Sequence, residues 1–461
     1  MSTDCTSKQI QFGKASGRKL VASFDAEHIT SDGGLVLLHE VDRQWGVLER
    51  FARCFQDHRD PDLIRHPVEQ LLRQRIFGIV CGYEDLNDHE ALREDPLLAA
   101  VVGKASPSEP LASPSTLNRL ELTPADATAD ARYRKVVYQG EEIADLFVDL
   151  YLDAHKKRPA ELVLDMDATD DLIHGTQEGR FFHGYYGNYC YLPLYIFAGD
   201  FLLCAKLRTA DKDGAAGCLD EVKRIVARIR ARWPKTRVIL RGDSGFCRNQ
   251  LMTWCEESDV HFILGVARNS RLEEMIADPM KEVKAEAERT GEPARMFREL
   301  RYQTEKTWTR ERRVVAKVEY LKDKANPRFV VTSFSPLEWE AQSLYEKLYC
   351  ARGDMENRIK EQQLDMFADR TSAHTMRANQ LRLWFASLAY TLVNLLRTFG
   401  LRGTEFERAQ AGTIRTKLLK VGAMVHVSVR RLVLSMSASS PVRGLYARIV
   451  ALLAQNAPAP A

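Results

Sequence analysis

Apolar residues recur along this chain at two spacings, and the change from one to the other divides it into regions. Residues 33–100 carry apolar side chains at helical spacing, and another helix opens near Ser115. Residues 136–265 instead alternate short apolar runs with one amphipathic helix. Strands are predicted at 161–167, 191–197, 201–208, 236–242 and 260–266, and a helix at 217–232. The pattern indicates a mainly helical N-terminal part and an α/β part, with a boundary near residue 135.

The second half of the chain changes character twice. A charged helical stretch at 272–288, broken near Pro279, precedes strand-like runs at 312–321 and 328–334. A long helix is predicted at about 337–367, an apolar helix at 381–396, and a strand-like run at 425–436. We therefore predict four units: a helical one at 1–135, an α/β one at 136–268 plus 336–400, a β-rich insertion at 269–335, and a basic C-terminal region at 401–461.

Composition excludes several classes of protein. No run of about 18 apolar residues occurs, so no membrane span is expected, and the N-terminus lacks the apolar core of an export signal. Nine cysteines are scattered singly without a CxxC pair, which argues against both a disulfide framework and a zinc site. We expect a protein of the reducing cytoplasm.

Charge is distributed unevenly along the chain. The net charge is +3, but residues 370–461 hold 13 Lys and Arg against only two acids, a net of +11. The rest of the chain therefore carries −8. A basic terminal region on an acidic body suggests a polyanionic partner, although a solvated basic surface would give the same count.

A cluster of carboxylates follows the first predicted strand of the α/β part. The sequence ELVLDMDATDD contains Asp165, Asp167, Asp170 and Asp171. Since side chains alternate along a strand, Asp165 and Asp167 share one face. Two such carboxylates either share a proton or bind a divalent cation. The structural alternative is that Asp170 and Asp171 cap a turn while Asp165 forms a salt bridge.

Two further places could complete a site. Asp243, in RGDSGF, comes directly after the strand predicted at 236–242, although a Gly-Asp turn that caps the next helix is the commoner use of such a sequence. Along the helix predicted at 337–367, one stripe collects polar residues, and the alternative is a solvated helix face. The stripe contains Tyr349, Arg352, Glu356, Lys360 and Gln363.

Together these three places resemble the DDE transposases of bacterial insertion sequences, and more narrowly the class whose third motif is Y-x2-R-x3-E-x6-K. The D-x-T motif is Asp167-Ala168-Thr169, the second aspartate is Asp243, and the third motif is Tyr349, Arg352 and Glu356. The resemblance covers most of residues 15–440. It departs at Gln363, where the family has lysine, and Lys360 one turn earlier is the available substitute.

The resemblance implies a fold and a chemistry. The fold is an RNase H-like core, a mixed sheet flanked by helices. Asp167, Asp243 and Glu356 would hold two Mg²⁺ ions, for which Mn²⁺ can substitute, and these ions would activate water and then a 3′-hydroxyl for in-line attack on DNA. Tyr349, Arg352 and Lys360 would bind the phosphate beside the cut. No covalent protein intermediate is needed.

The same resemblance assigns roles to the other regions. Residues 1–135 would grip the terminal inverted repeats, and the basic C-terminal region would contact the DNA backbone or a second protomer of a synaptic homodimer. In resembling transposases the β insertion handles a hairpin at the cleaved end, and Trp308 is the candidate for stacking on a flipped base. Packing in a small β core is the commoner role of a single tryptophan. We expect association with the nucleoid.

Two rival interpretations remain open. LVLDMDAT also matches the signature of haloacid-dehalogenase phosphatases, in which Asp165 would be the nucleophile and Asp167 the acid/base. That hypothesis leaves the Tyr349–Glu356 stripe unexplained. The other is a DNA-binding protein that descends from a transposase and has lost catalysis. The presence of all three acids argues against it. Within the transposase hypothesis we favour Asp167 over Asp165, because the family's threonine stands two residues after its aspartate.

Overall fold

The computed structural model describes residues 9–321 and 323–457. Its strands, numbered along the chain, are β1 (Ile10–Ala15), β2 (Arg18–Ala22), β3 (Ile29–Thr30), β4 (Phe55–Asp57), β5 (Val136–Tyr138), β6 (Glu161–Ala168), β7 (Asp171–Leu172), β8 (Phe181–His183), β9 (Asn188–Tyr191), β10 (Leu194–Ala198), β11 (Phe201–Lys206), β12 (Arg237–Gly242), β13 (His261–Val266), β14 (Ala294–Tyr302), β15 (Arg312–Leu321), β16 (Lys324–Ala325), β17 (Arg328–Thr332), β18 (Ala423–Val427) and β19 (Leu432–Met436).

The α-helices, numbered in the same way, are α1 (Leu35–Trp45), α2 (Val47–Arg53), α3 (Val68–Val80), α4 (Asp88–Ala91), α5 (Pro96–Val102), α6 (Pro114–Glu121), α7 (Gly140–Ala154), α8 (Cys218–Arg232), α9 (Asn249–Glu257), α10 (Ser270–Met275), α11 (Ala277–Thr290), α12 (Ala341–Ser343), α13 (Gly353–Lys360), α14 (Met376–Leu395), α15 (Ala411–Ile414) and α16 (Arg443–Asn456). Helical turns of other types join α12 to α13 and extend α13, so that residues 341–365 form one continuous helical segment, called here the motif helix.

A large mixed sheet lies at the centre of the molecule, in the order β11-β10-β6-β12-β13-β17-β15-β14, with β16 paired to β15. The middle strands β6, β12 and β13 run parallel to one another. The strands on both sides of them pair antiparallel. Four of the five strands predicted at 161–266 are present, the run predicted at 191–197 is divided between the end of β9 and β10, and the α/β class with a mixed sheet is confirmed.

Helices cover both faces of this sheet, because its strands are apolar on both sides. Leu162, Leu164 and Met166 of β6 are buried on the face towards α8, where Cys218 Sγ lies 3.4 Å from Met166 Sδ. On the opposite face, residues of the middle and added strands form a separate apolar cluster with the motif helix. The cluster contains Ile239, Ile263, Val315, Val330, Leu344, Tyr345 and Leu348.

The β-rich stretch predicted at 269–335 extends the central sheet instead of forming a sheet of its own. Its strands β17, β15 and β14 pair in turn beyond β13. The charged helix before them is interrupted, as predicted, but the break falls at Ile276. Pro279 lies in the first turn of α11, a position where a missing N–H costs nothing.

The N-terminal and C-terminal regions belong to one core. α14, predicted as an apolar helix, is buried along almost its whole length because α3 and β11 pack against it. α16 packs against α1 and residues 396–400. β3 pairs with β18, which pairs with β19, so the two ends of the chain share a three-stranded sheet. In the described residues, no helix is both long and apolar enough to span a membrane.

Candidate active site

Asp165 and Asp167 leave the same face of β6 but have different partners. Asp165 is only 3% exposed and accepts two hydrogen bonds from Arg241, at 2.5 Å from Nε and 2.7 Å from Nη2. Arg241 also donates to the carbonyl oxygen of Leu348 in the motif helix, at 2.5 Å. Asp165 is therefore part of a buried ion pair that fastens the motif helix to the sheet.

Asp167 lies closer to the end of the strand and is less deeply buried. One of its carboxylate oxygens accepts from the backbone N–H of Ala168 at 2.9 Å, and the other from Arg352 Nη1 at 3.1 Å. Burial raises the pKa of Asp167 to about 6; the positive charge of Arg352 opposes this rise and the negative charge of Asp243 adds to it. Asp167 thus has the environment of a carboxylate whose charge needs a cation.

Asp243 reaches the same place from the neighbouring strand. The parallel register of β12 and β6 pairs Arg241 with Asp165 and Gly242 with Met166. The next residue, Asp243, therefore follows the end of β12 beside Asp167. One of its oxygens accepts from the backbone N–H of Gly245 at 2.8 Å, so Asp243 also caps the turn at Ser244–Phe246. The turn role foreseen for this sequence coexists with a position at the cleft.

Glu356 is linked to Asp167 through Arg352, which contacts both carboxylates. Arg352 donates from Nη1 to Asp167 and from Nη2 to Glu356 Oε1, the latter at 2.8 Å, so its guanidinium lies between the two carboxylates. The Glu356 side chain is 46% exposed. The helical spacing of four residues between Arg352 and Glu356 makes this contact possible.

Tyr349 packs where the motif helix meets the sheet. A Cβ atom on Gly265 of β13 would lie 2.8 Å from Tyr349 Oη and 2.9 Å from the backbone nitrogen of Ser244. Glycine at position 265 therefore allows the tyrosine to approach the second acid. A cleft of about 500 Å³ opens here, and cationic side chains contribute to its walls. Its polar lining includes Asp243, Arg268, Lys324, Arg328, Tyr349 and Arg352.

The last two residues of the predicted stripe, Lys360 and Gln363, lie in different environments. Lys360 is exposed at the end of α13. Gln363 donates to Asp171 Oδ1 at 3.1 Å and to the carbonyl oxygen of Asp170 at 3.3 Å. Burial raises the pKa of Asp171 to about 8. In the position where the family has lysine, glutamine thus joins the motif helix to β7 through a buried carboxyl group.

Trp308 is buried. It is 6% exposed, and its ring packs edge-on against Tyr302 with the ring centres 5.5 Å apart. The guanidinium of Arg312 lies over it at 5.5 Å. Packing in the core of the β-rich stretch, the alternative foreseen for it, is what the structure shows.

Much of the positive charge counted in the sequence is paired inside the molecule. On α8, Arg224 and Arg228 pair with Asp145 and Asp149 of α7. In the basic region that begins at residue 370, four cations pair with acids elsewhere in the chain. These pairs are Arg370 with Glu84 and Asp85, Arg382 with Glu121, Arg397 with Glu361, and Lys420 with Asp32. The net charge of the tail therefore overstates what is free for a partner.

Comparison with known proteins decides the family. The profile of a family described as "Transposase DDE domain group 1" matches residues 12–458, nearly the whole chain. The chain belongs to the DDE transposases. The similarity predicted from the three motifs is confirmed, and this transposase is an enzyme that cleaves and transfers DNA strands in transposition and recombination.

A solved structure is also similar to this transposase. It is the cryo-EM structure of the piggyBac transposase synaptic complex with hairpin DNA, at 11% identity and a TM-score of 0.42, covering 84% of this chain and 79% of that chain. None of the curated proteins matches the transposase at a significant level.

Transposases of this family use divalent metal ions. Among the described residues, no three His, Cys, Asp or Glu side chains are already arranged to hold one. Asp167 and Asp243 lie side by side, and carboxylate oxygens are the donors that Mg²⁺ and Mn²⁺ prefer. The three carboxylates are therefore suitable ligands for a divalent ion. Glu356, the third of them, is separated from Asp167 by the guanidinium of Arg352.

One feature beside the candidate active site received no role from the sequence. β7, β8 and β9 form a small sheet whose hairpin carries four exposed aromatic side chains. They are Phe181, Phe182, Tyr185 and Tyr189. The signal was the aromatic run FFHGYYGNYCY, which the pattern of strands did not assign to any role.

Proposed function

We propose that this transposase binds the terminal inverted repeats of an insertion sequence, cleaves its ends and joins them to target DNA. The observation that carries the proposal is the convergence of Asp167 and Asp243, which come from the ends of two adjacent parallel strands. They stand 76 residues apart in the chain. The contact of Glu356 with Arg352, and of Arg352 with Asp167, supports its place as the third acid.

Within this proposal the RNase H-like core comprises the mixed sheet with its flanking helices. Asp167, Asp243 and Glu356 are the metal ligands. They would hold two Mg²⁺ ions, or Mn²⁺ in their place, and the bound ions would supply the charge that polarises a phosphodiester and lowers the pKa of water or a 3′-hydroxyl. The locked ion pair of Asp165 with Arg241 supports Asp167 as the first ligand, since Asp165 has no freedom to turn towards the cleft.

The cations and the tyrosine at the cleft bind the DNA strand. Arg352 presents a planar pair of donors that matches a phosphate, and Tyr349 offers a hydroxyl beside it. Arg268, Lys324 and Arg328 extend the positive lining along the cleft. Lys360, exposed one turn after Glu356, contacts a phosphate further along the strand in this proposal.

The regions outside the core take the remaining roles. Residues 1–135 contact the terminal repeats, and the unpaired basic residues of the C-terminal region contact the DNA backbone or the second protomer of a synaptic homodimer. Arg430 and Arg431, exposed in the turn between β18 and β19, are the candidates in that region. The transposase works in the cytoplasm on the DNA of the nucleoid.

End cleavage in vitro tests the proposal. Labelled DNA carrying the sequences that flank the coding region is incubated with the protein and Mg²⁺. We expect a nick at the element boundary that disappears with EDTA. Binding without cutting would favour a transposase-derived binding protein, and release of phosphate from small esters would favour the phosphatase. The burial of Asp165 against Arg241 argues against the phosphatase, which needs that carboxylate as a free nucleophile.

A further inference from the structure

The small sheet beside the active site carries a concentration of exposed rings. Residues 180–191, called here the aromatic hairpin, expose Phe181, Phe182, Tyr185 and Tyr189, and Tyr185 at the tip is 87% exposed. Water contact over so many large apolar faces in one short hairpin is costly. Such a patch on a described surface indicates a binding site.

The rings form an ordered strip. Phe182 pairs with Tyr189 across the two strands, and their rings meet edge-on with centres 5.5 Å apart. Arg180, two residues before Phe182 and therefore on the same face, lies 3.6 Å from the centre of the Tyr189 ring. The strip thus offers ring faces and edges together with one guanidinium plane.

The tip of the aromatic hairpin lies at the active site. Tyr186 donates from its hydroxyl to the carbonyl oxygen of Ala168 at 3.4 Å, directly after Asp167 in β6. Tyr185 packs edge-on against Tyr186, with ring centres 5.0 Å apart. A phosphate held at Asp167 and Asp243 would therefore have its neighbouring nucleotide beside this tip.

The chemistry of the aromatic hairpin favours bases over backbone. A surface that tracks phosphates needs several Lys or Arg side chains, and between Gly179 and Gly199 only Arg180 is formally charged. No acidic side chain occurs in that stretch to repel a polyanion. Stacking of bases on aromatic side chains requires ring faces, is indifferent to sequence, and works only where the bases are unpaired.

We propose that the aromatic hairpin binds unpaired bases of the DNA strand next to the phosphate being cleaved, by stacking on Phe182, Tyr185 and Tyr189. The inference rests on the proposed function, since it supplies the strand. It moves the base-stacking role expected of Trp308 to a hairpin that leads into β10, and β10 flanks β6 on the side opposite β12 and the β-rich stretch.

Binding to short DNA without metal ions tests the inference. Affinities are measured for a single-stranded oligonucleotide and for the duplex of the same sequence, with the wild type, Phe182→Ala, Tyr185→Ala and Tyr185→Phe. Each alanine variant is expected to lose about tenfold in affinity for the single strand and less than about twofold for the duplex. Tyr185→Phe keeps the ring and is expected to bind as the wild type does.

Three results would overturn the inference: no loss with the alanine variants, an equal loss for single strand and duplex, or a change in oligomeric state with Phe182→Ala, which would make the surface an interface between copies. Thermal unfolding of each variant shows that it is folded. Cleavage of end DNA by the wild type is measured separately. If that cleavage is absent while the ring dependence holds, the proposed function fails and the aromatic hairpin remains a single-strand binding site.

Discussion

Asp165 and Asp167 lie on one face of β6, two residues apart, and the partner of each determines what it can do. Arg241 stands opposite Asp165 in the parallel register and takes both of its oxygens. Asp167 extends beyond Arg241 and meets Arg352 and the charge of Asp243 instead. One strand therefore supplies a carboxylate held in a buried ion pair and a second carboxylate that is the proposed metal ligand.

The same substitution at these two positions should have opposite consequences. Asp165→Asn leaves the buried Arg241 without its counter-ion and should lower the free energy of unfolding by about 3 kcal/mol. Asp167→Asn removes a carboxylate that burial disfavours, so it should not destabilise the protein, while DNA cleavage should be lost. Urea denaturation of both variants gives the comparison. Equal stability of the two would contradict the role given to Arg241.

Asp171 offers a test by pH. Burial raises its pKa to about 8 in the folded protein, from an ordinary value of 3.8. The folded state therefore binds a proton that the unfolded state releases, and this contribution to stability is present below about pH 4 and is lost as the pH rises towards 8. Asp171→Asn should leave stability nearly unchanged at pH 4 and raise it by roughly 4 kcal/mol near pH 7.

Denaturation series at several pH values measure this difference. A gap between Asp171→Asn and the wild type that does not widen between pH 4 and pH 8 would show that the carboxyl group is ionised in its site. Gln363→Ala is the companion variant, because it removes the contact at 3.1 Å and leaves the carboxyl group in place.

At this scale the sequence could place Asp167 and Asp243 at strand ends, because apolar runs followed by acids are visible without a structure. It could not decide between Asp165 and Asp167 by physics alone. That choice depends on the register of β6 with β12, two strands 76 residues apart, and register is set by the packing of the whole sheet. The contact of Gln363 with Asp171 likewise depends on where the motif helix lies.

The motif helix is the element that assembles the site. It carries Tyr349, Arg352 and Glu356 on one side, and its apolar residues Leu344 and Leu348 pack on the sheet. Glu340 caps its start by accepting from the backbone N–H groups of Gln342 and Ser343 at 3.0 and 2.9 Å. Helical spacing in the sequence predicted this element closely, at 337–367 against the observed 341–365.

Arg352 should behave as a stand-in for a cation. Arg352→Gln leaves Asp167 and Glu356 without the guanidinium between them, so the metal-free protein should melt at a lower temperature. Mn²⁺ should then raise the melting temperature more in the variant than in the wild type, because it no longer competes with the arginine. Thermal unfolding with and without Mn²⁺ measures both effects.

Arg358→Gln is the matched control on the same helix, since Arg358 pairs with Glu361 at 2.9 Å and does not touch the proposed ligands. Its response to Mn²⁺ should equal that of the wild type. The same Mn²⁺ shift in Arg352→Gln and Arg358→Gln would contradict the role given to Arg352.

The β-rich stretch shows where element prediction stops. Its strands could be located from their apolar runs. The sheet edge with which they pair could not be predicted, because any edge strand with free N–H and C=O groups can accept a neighbour. β17 takes the open edge of β13, and the stretch becomes part of the central sheet. Trp308 is buried because of that packing, and the residues around it in the sequence do not predict its burial.

Across the whole molecule, the two ends of the chain are fastened together. Gly34, at the start of α1, lies so close to the C-terminal region that a Cβ atom there would be 1.9 Å from the carbonyl oxygen of Leu418 and 2.6 Å from the Cα of Leu419. Both neighbours are backbone atoms, which cannot rotate away. The units predicted at 1–135 and 401–461 are thus joined by direct backbone packing.

Gly34→Ala should therefore destabilise the entire protein, by at least about 2 kcal/mol, in a single unfolding transition. Gly444→Ala is the control, because a Cβ atom at position 444 meets nothing within 4 Å. Calorimetry and tryptophan fluorescence measure the transition. Two separate transitions, or loss of only one region, would show that the terminal regions fold independently.

The positions of the unpaired charges can be known only from the folded molecule. The +11 of residues 370–461 predicted a polyanion-binding tail, yet four of its cations pair with acids that folding brings from residues 32–121 and 361. The cations that line the cleft, among them Arg268 and Arg328, come from outside that tail.

Iron-mediated cleavage of the polypeptide tests the central claim most directly, because Fe²⁺ bound in place of Mg²⁺ cuts the backbone beside its ligands. With Fe²⁺, ascorbate and peroxide, the account predicts cuts around residues 167, 243 and 356 together, suppressed by excess Mg²⁺ and absent from Asp167→Asn. Cuts at only one of these segments, or a pattern unchanged in Asp167→Asn, would contradict a shared metal centre of the three acids.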